Sequence, residues 1–79
     1  MHRYSSETVT FRRPFLLGKE RCPPGTYDFE TEEEMVEGSS FTAFRSVRMS
    51  VRIPRGGFVE ILEVKPDDLA RARVKDGAD

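Results

Sequence analysis

Three groups of side chains in this 79-residue chain have types that could do chemistry. The first is the single cysteine, Cys22, with His2 and Tyr27 as the available proton carriers. A thiol becomes a nucleophile only where a base or a positive field draws off its proton, and the one histidine stands at the far N-terminus. Cys22 runs directly into Pro23-Pro24-Gly25 and reads as a small residue entering a turn. No catalytic residue, cofactor or enzyme activity is expected from this group. The second is the acidic run Glu30, Glu32, Glu33 and Glu34, whose oxygens suit a hard cation such as calcium or magnesium. It lacks the Asp/Asn spacing and the glycine of a dedicated loop, and on a strand its members would alternate faces. It reads as a solvated strand whose charge discourages aggregation, with no metal site. The third is Arg45, Arg48, Arg52 and Arg55, with Phe44 and Phe58 nearby. On a small β fold aromatic rings stack bases and arginines hold phosphates, so Phe44, Arg48, Arg52 and Arg55 define a nucleic-acid-binding alternative. The competing reading is a wet sheet face whose arginines meet the carboxylates of the strand beside them. A formal net charge of −1 favours it, because gripping phosphate backbones usually takes a clearly basic domain. Gly56-Gly57 is a turn device and too short for a phosphate loop.

The elements that would position these groups are strands. Phe41 to Pro54 is the longest two-residue alternation in the chain: Phe41, Ala43, Val47, Met49, Val51 and Ile53 form an apolar row broken only by Arg45. Thr42, Ser46, Arg48, Ser50 and Arg52 form a polar row broken only by Phe44. Alternate side chains on a strand point to opposite faces, so this is a central strand with one core face and one wet face. An earlier strand starts at Thr8, with Val9, Phe11, Phe15 and Leu17 on one face, interrupted by Arg13 and kinked or placed on an edge at Pro14. Gly18 to Arg21 reads as a loop. Pro24-Gly25 reads as a type II turn, with positive φ at the glycine. The strand after it puts Tyr27, Phe29, Thr31, Glu33 and Met35 on one face and Asp28, Glu30, Glu32 and Glu34 on the other.

A hairpin loop of Gly38-Ser39-Ser40 would set Glu33 opposite Arg45 and Glu30 opposite Arg48, pairing the charges that spoil each row. A four-residue loop would lay the acidic face over the apolar one and is rejected here. After the turn at Pro54 to Gly57, Phe58 to Val64 reads as a last strand apolar on both faces, with Phe58, Leu62 and Val64 on one side and Val59 and Ile61 on the other. Pro66 suits the first position of a helix, Asp67 and Asp68 its positive end, and Gly77 its stop, giving a helix over 66–75.

Thr10-Phe11-Arg12-Arg13-Pro14-Phe15, Pro24-Gly25-Thr26-Tyr27 with the Glu32-Glu33-Glu34 run, Gly38 to Phe41, and Lys65-Pro66-Asp67-Asp68-Leu69 together resemble a family of short uncharacterised bacterial proteins. The resemblance covers most of the chain and implies a compact β-rich domain with a C-terminal helix. It implies no activity, so no functional residues are carried over from it.

The fold expected is therefore mainly β (α+β): a four-stranded, mostly antiparallel sheet, curled or rolled toward a small barrel, with one C-terminal helix. Residues 8–75 form one domain, flanked by a flexible N-terminus over 1–7 and a flexible tail over 76–79. A chain this short hides only a little over ~60% of its unfolded surface, so such domains often gain stability by pairing. The last strand has more apolar surface than one short helix covers. The expected function is a small non-catalytic interaction module that self-associates as a homodimer through Phe58, Ile61, Leu62 and Leu69. One cysteine cannot form an internal disulfide, and no apolar run approaches a signal-peptide core or a membrane span, the longest near the start being Pro14-Phe15-Leu16-Leu17. The expected location is the cytoplasm.

Overall fold

A computed structural model describes residues 2–77. The elements are β1 (His2–Phe11), β2 (Phe15–Leu17), β3 (Glu20–Cys22), β4 (Gly25–Glu37), β5 (Thr42–Pro54), β6 (Val59–Glu63) and α1 (Pro66–Gly77). The four-stranded antiparallel sheet and the C-terminal helix are as the sequence predicts, with strand order β1-β4-β5-β6. The sheet does not close into a barrel, and β1 and β6 are its two edges. A second, two-stranded sheet pairs β2 with β3.

The strand expected from Thr8 to Leu17 is divided. It stops at Phe11, and after Arg12 and Arg13 the chain turns into β2. The backbone amides of Arg12 and Arg13 donate to the Asp76 carboxylate rather than to a neighbouring strand. The expected loop over Gly18 to Arg21 is a two-residue turn followed by β3, with Gly18 at φ 63°, a conformation that suits glycine in a tight hairpin. Gly25 also has positive φ, but at 153° it opens β4 directly instead of closing a type II turn.

The elements reach closer to both chain ends than the expected bounds. Within the 1–7 segment, His2 to Glu7 form the first half of β1, paired against Glu34 to Phe29. Arg3 Nε meets Glu33 Oε1 at 2.9 Å and His2 Nδ1 meets Glu32 Oε2 at 2.7 Å across that pairing. Within the 76–79 segment, Asp76 and Gly77 complete α1. Met1, Ala78 and Asp79 lie outside the described residues.

One face of the sheet carries the core, at one end only. Val9 and Phe11 from β1, Tyr27 and Phe29 from β4, Val51 and Ile53 from β5, and Val64 pack under Leu69 and Ala72 of α1 and beside Phe15, Leu17 and Cys22. Phe11 stacks on Phe15 with ring centroids 3.6 Å apart. Beyond this core β1, β4 and β5 run on as an arm, and the molecule measures 47 × 32 × 20 Å. Residues 31–36 of β4, central in the arm, are only half-buried because no layer covers either face.

The β4-β5 hairpin corrects the expected register. Its loop is the four-residue Gly38-Ser39-Ser40-Phe41, with Glu37 opposite Thr42, and not the three-residue loop. The mismatch foreseen for that loop is removed by a β-bulge: Glu32 faces Arg48 while Glu33 faces Ser46, leaving Val47 as the extra residue. The bulge exchanges the faces of everything before it. Phe44 moves to the core-side face opposite Met35, and Arg45 moves to the open face opposite Glu34. Arg45 therefore pairs with Glu34, at 3.4 Å, and not with Glu33. Arg48 pairs with Glu63 of β6, at 3.4 Å, rather than with Glu30.

Candidate functional site

Cys22 lies on β3 with 1% of its surface exposed, and its thiol points at the Glu20 carbonyl oxygen, 3.7 Å away. Burial pushes the thiol pKa up, against the opposing pull of the Arg55 guanidinium. Tyr27 is close by, its hydroxyl donating to the Pro23 carbonyl at 2.6 Å, and burial also raises its pKa, helped by Cys22. His2 is at the opposite end of β1, beside Glu32. The arrangement keeps Cys22 a protonated, enclosed thiol at neutral pH, the reverse of what a nucleophile needs. A water-soluble thiol reagent is expected to modify Cys22 in the native protein more than about 100-fold more slowly than in urea, because access requires an opening of the core. Labelling at equal rates in both states would show that the thiol is not enclosed.

The acidic run divides between faces: Glu30, Glu32 and Glu34 lie on the open face and Glu33 on the other, where it meets Arg3. Among the described residues, no three carboxylate, histidine or cysteine side chains are grouped to hold a metal ion.

The residues of the nucleic-acid alternative are not brought together. Arg48 and Arg52 lie on the open face, whereas the bulge has placed Phe44 on the other, where the Arg3 guanidinium sits 3.6 Å over its ring. Arg55 lies in the turn after β5, half-buried. It binds Glu60 at 3.0 Å and donates to the Arg21 carbonyl at 2.8 Å, joining the β5-β6 turn to β3. Among the described residues Arg52 alone of the four makes neither an ion pair nor a ring contact. Sequence alternation alone hides this separation, since positions 44 and 48 share a face in any unbulged strand.

The four residues expected at an interface also separate. Leu69 is 5% exposed, inside the core of its own chain. Leu62 is half-buried and packs against that core. Phe58 and Ile61 are 64% and 65% exposed, and they are joined by Val59 at 58%. Val59, absent from the expected set, was signalled by its two-residue spacing from Ile61. The last strand thus covers one of its two faces with the core and leaves the other open. Phe58 precedes it in the turn, and Val59 and Ile61 occupy its open face beside Pro54 and Arg52 of β5. This cluster lies along a sheet edge, whereas among the described residues the β1 edge carries only Tyr4 as an exposed large apolar side chain.

The helix-side clefts are built differently. The one between α1 and β2, about 390 Å³, is lined by Arg13, Leu16, Arg71 and Lys75 with Asp68 and Asp76. Asp68 binds Arg71 at 2.9 Å, and Asp76 is held by Arg12 and Arg13, so its carboxylates serve the packing of the helix. No helix among the described residues is long and apolar enough to cross a membrane. Comparison with family models, curated proteins and solved structures gave no match to this chain.

Proposed function

We propose that the protein is a small, non-catalytic interaction module of the cytoplasm that works as a homodimer. The observation that carries this reading is the exposed row Phe58, Val59 and Ile61 along the open β6 edge. Apolar side chains gathered at an edge are an association surface, since a sheet edge already offers unpaired backbone groups. The dimensions support it. The radius of gyration is 14.7 Å, against about 11.6 Å for a compact domain of this length. The accessible surface is 5812 Å², against roughly 4,900 Å² for a compact monomer of 9.1 kDa. Much of that surplus lies along the arm, so it is the exposed apolar row at β6 and not the total area that carries the association reading. A free, enclosed Cys22 thiol suits a reducing compartment.

The test is the solution mass by size-exclusion chromatography with light scattering over a dilution series. A mass near twice the 9.1 kDa chain is expected. Ile61→Lys is expected to shift the protein to the monomer mass at concentrations where the native protein is dimeric. Its circular dichroism should be unchanged, because the side chain touches no core. A native protein that remains monomeric at every concentration would remove the reading.

A further inference from the structure

We infer that the second copy adds to the β6 edge as an antiparallel strand with Ile61 on the two-fold axis, so that two four-stranded sheets continue as one sheet of eight. This rests on the homodimer reading above and assigns its geometry. Val64 donates its backbone N–H to the Met49 carbonyl at 2.8 Å. In an antiparallel ladder the backbone groups of successive residues point to opposite sides of the strand. Glu60, Leu62 and Val64 therefore spend theirs on β5, and Val59, Ile61 and Glu63 turn theirs to the open side. Those residues of β6 also carry their side chains on the open face, so unpaired backbone and exposed Val59 and Ile61 coincide along one edge. Natural edges are blunted with proline, lysine, bulges or charge; Val59-Glu60-Ile61-Leu62-Glu63 has no proline, lysine or bulge, and its two charges are met within the chain, Glu60 by Arg55 and Glu63 by Arg48.

The same five residues select a second copy over a foreign strand. Centred on Ile61, an antiparallel pair places Ile61 against its counterpart, Val59 against Glu63, and Glu60 against Leu62. Every outward-facing residue is then paired, and no carboxylate faces another. Centring on Glu60 instead would set Glu60 against its counterpart and leave Glu63 unpaired. On the open face the row becomes Arg52, Ile61, Ile61, Arg52, since Arg52 is the β5 neighbour of Ile61. An apolar centre with a charged rim is the usual anatomy of an interface. Face-to-face packing is the weaker alternative: it would strip water from the Arg45–Glu34 and Arg48–Glu63 pairs, a desolvation that exposed pairs do not repay.

The experiment uses the full chain. Ile61→Cys, treated with a short bis-maleimide at a concentration where the mass is that of a dimer, is expected to give a covalent dimer. Facing residues of a hydrogen-bonded pair have Cα atoms about 5.5 Å apart. Val59→Cys alone should cross-link poorly, and Val59→Cys mixed with Glu63→Cys efficiently, while enclosed Cys22 stays silent. Ile61→Pro removes an outward N–H without touching the β5 ladder, so it should fold normally and dimerise at least about tenfold more weakly. If the native protein is a dimer but Ile61→Cys fails to cross-link and Ile61→Pro dimerises normally, the edge geometry is overturned and self-association stands. A native monomer, or a monomer that pairs only with added extended peptides, overturns both.

Discussion

Phe11→Ala is expected to lower stability by about 3–5 kcal/mol, the usual loss for emptying a buried phenylalanine site. Phe11 is 2% exposed, stacks on Phe15 with an interplanar angle of 9°, and meets the Phe29 ring at 6.5 Å. It is the last residue of β1 and touches both the small sheet and the large one, so the cavity opens where the two join. A domain of this length holds roughly 4–12 kcal/mol in total, so the loss removes from about a quarter of it to all of it. The neighbours have little room to collapse, because β2 is tied down by its turn at Gly18 and by α1 above it. The expected readout is a melting temperature lower by well over ~10 °C at fixed protein concentration, given about 4–8 °C per kcal/mol at this size. Phe11→Leu keeps most of the volume and forfeits chiefly the ring-on-ring contact, about 0.5–1.5 kcal/mol, which separates packing from stacking. If Phe11→Ala melts within a degree or two of the native protein, the core is not organised around this ring pair.

The sheet was legible because its strands alternate, and the order and direction of β4, β5 and β6 follow from short connections between them. The bulge was legible only in disguise. Arg45 and Phe44 are adjacent exceptions, one in the apolar row of β5 and one in the polar row. A bulge between Ser46 and Arg48 turns both into rule-followers by exchanging the faces of every residue before it. Reading Arg45 as the partner of Glu33 explained one exception by charge and left Phe44 unexplained. A single insertion explains both, and it brings the four-residue loop with it. The cluster at β6 was half visible. Alternation separates Val59 and Ile61 from Leu62 and Val64, but which side receives the helix depends on the β5 register, a non-local quantity. Leu69 illustrates the same limit: amphipathic spacing places it on an apolar helix face without saying whether that face meets its own sheet or a second copy. The N-terminal half of β1 had no apolar pattern to find, since His2 to Thr8 lie over an arm with no core. The backbone ladder to β4 holds it, with side-chain contacts such as Arg3–Glu33 and His2–Glu32 across the pairing, and such contacts leave no periodic trace.

Asp76→Ala is the other substitution expected to have a large effect, at a position that the sequence reading places in a flexible tail beyond the helix. The Asp76 side chain is only 11% exposed. Its Oδ1 accepts the backbone N–H groups of Arg12 at 3.0 Å and Arg13 at 3.2 Å, and Oδ2 lies 3.7 Å from Arg12 Nε. In return the two guanidinium groups donate to the last carbonyls of α1, Arg13 to Lys75 and both to Asp76, at 2.7 to 3.1 Å. Helix ends leave such carbonyls without intrahelical partners, so the Arg12-Arg13 corner is at once the break between β1 and β2 and the cap of α1. An aspartate at a helix C-terminus is itself unfavourable by about 0.3–1 kcal/mol, because it faces the negative end of the dipole. Hydrogen bonds to a charged acceptor contribute about 1.5–3 kcal/mol each when enclosed; these two lie at the surface where water competes, so the clamp outweighs the dipole by less than the full sum and the net loss in Asp76→Ala should be about 2–3 kcal/mol. Asp76→Asn retains one oxygen acceptor while losing the charge, and an intermediate loss is expected. The local readout is amide hydrogen exchange. The Arg12 and Arg13 amides should lose protection in Asp76→Ala together with the last turn of α1, while Phe29 and Val51 amides keep theirs relative to global stability. Unchanged protection at Arg12 and Arg13 would mean that water replaces the carboxylate at no cost. The helix end would then be held by Leu69, Ala72 and the guanidinium bonds to the Lys75 and Asp76 carbonyls, without help from the carboxylate.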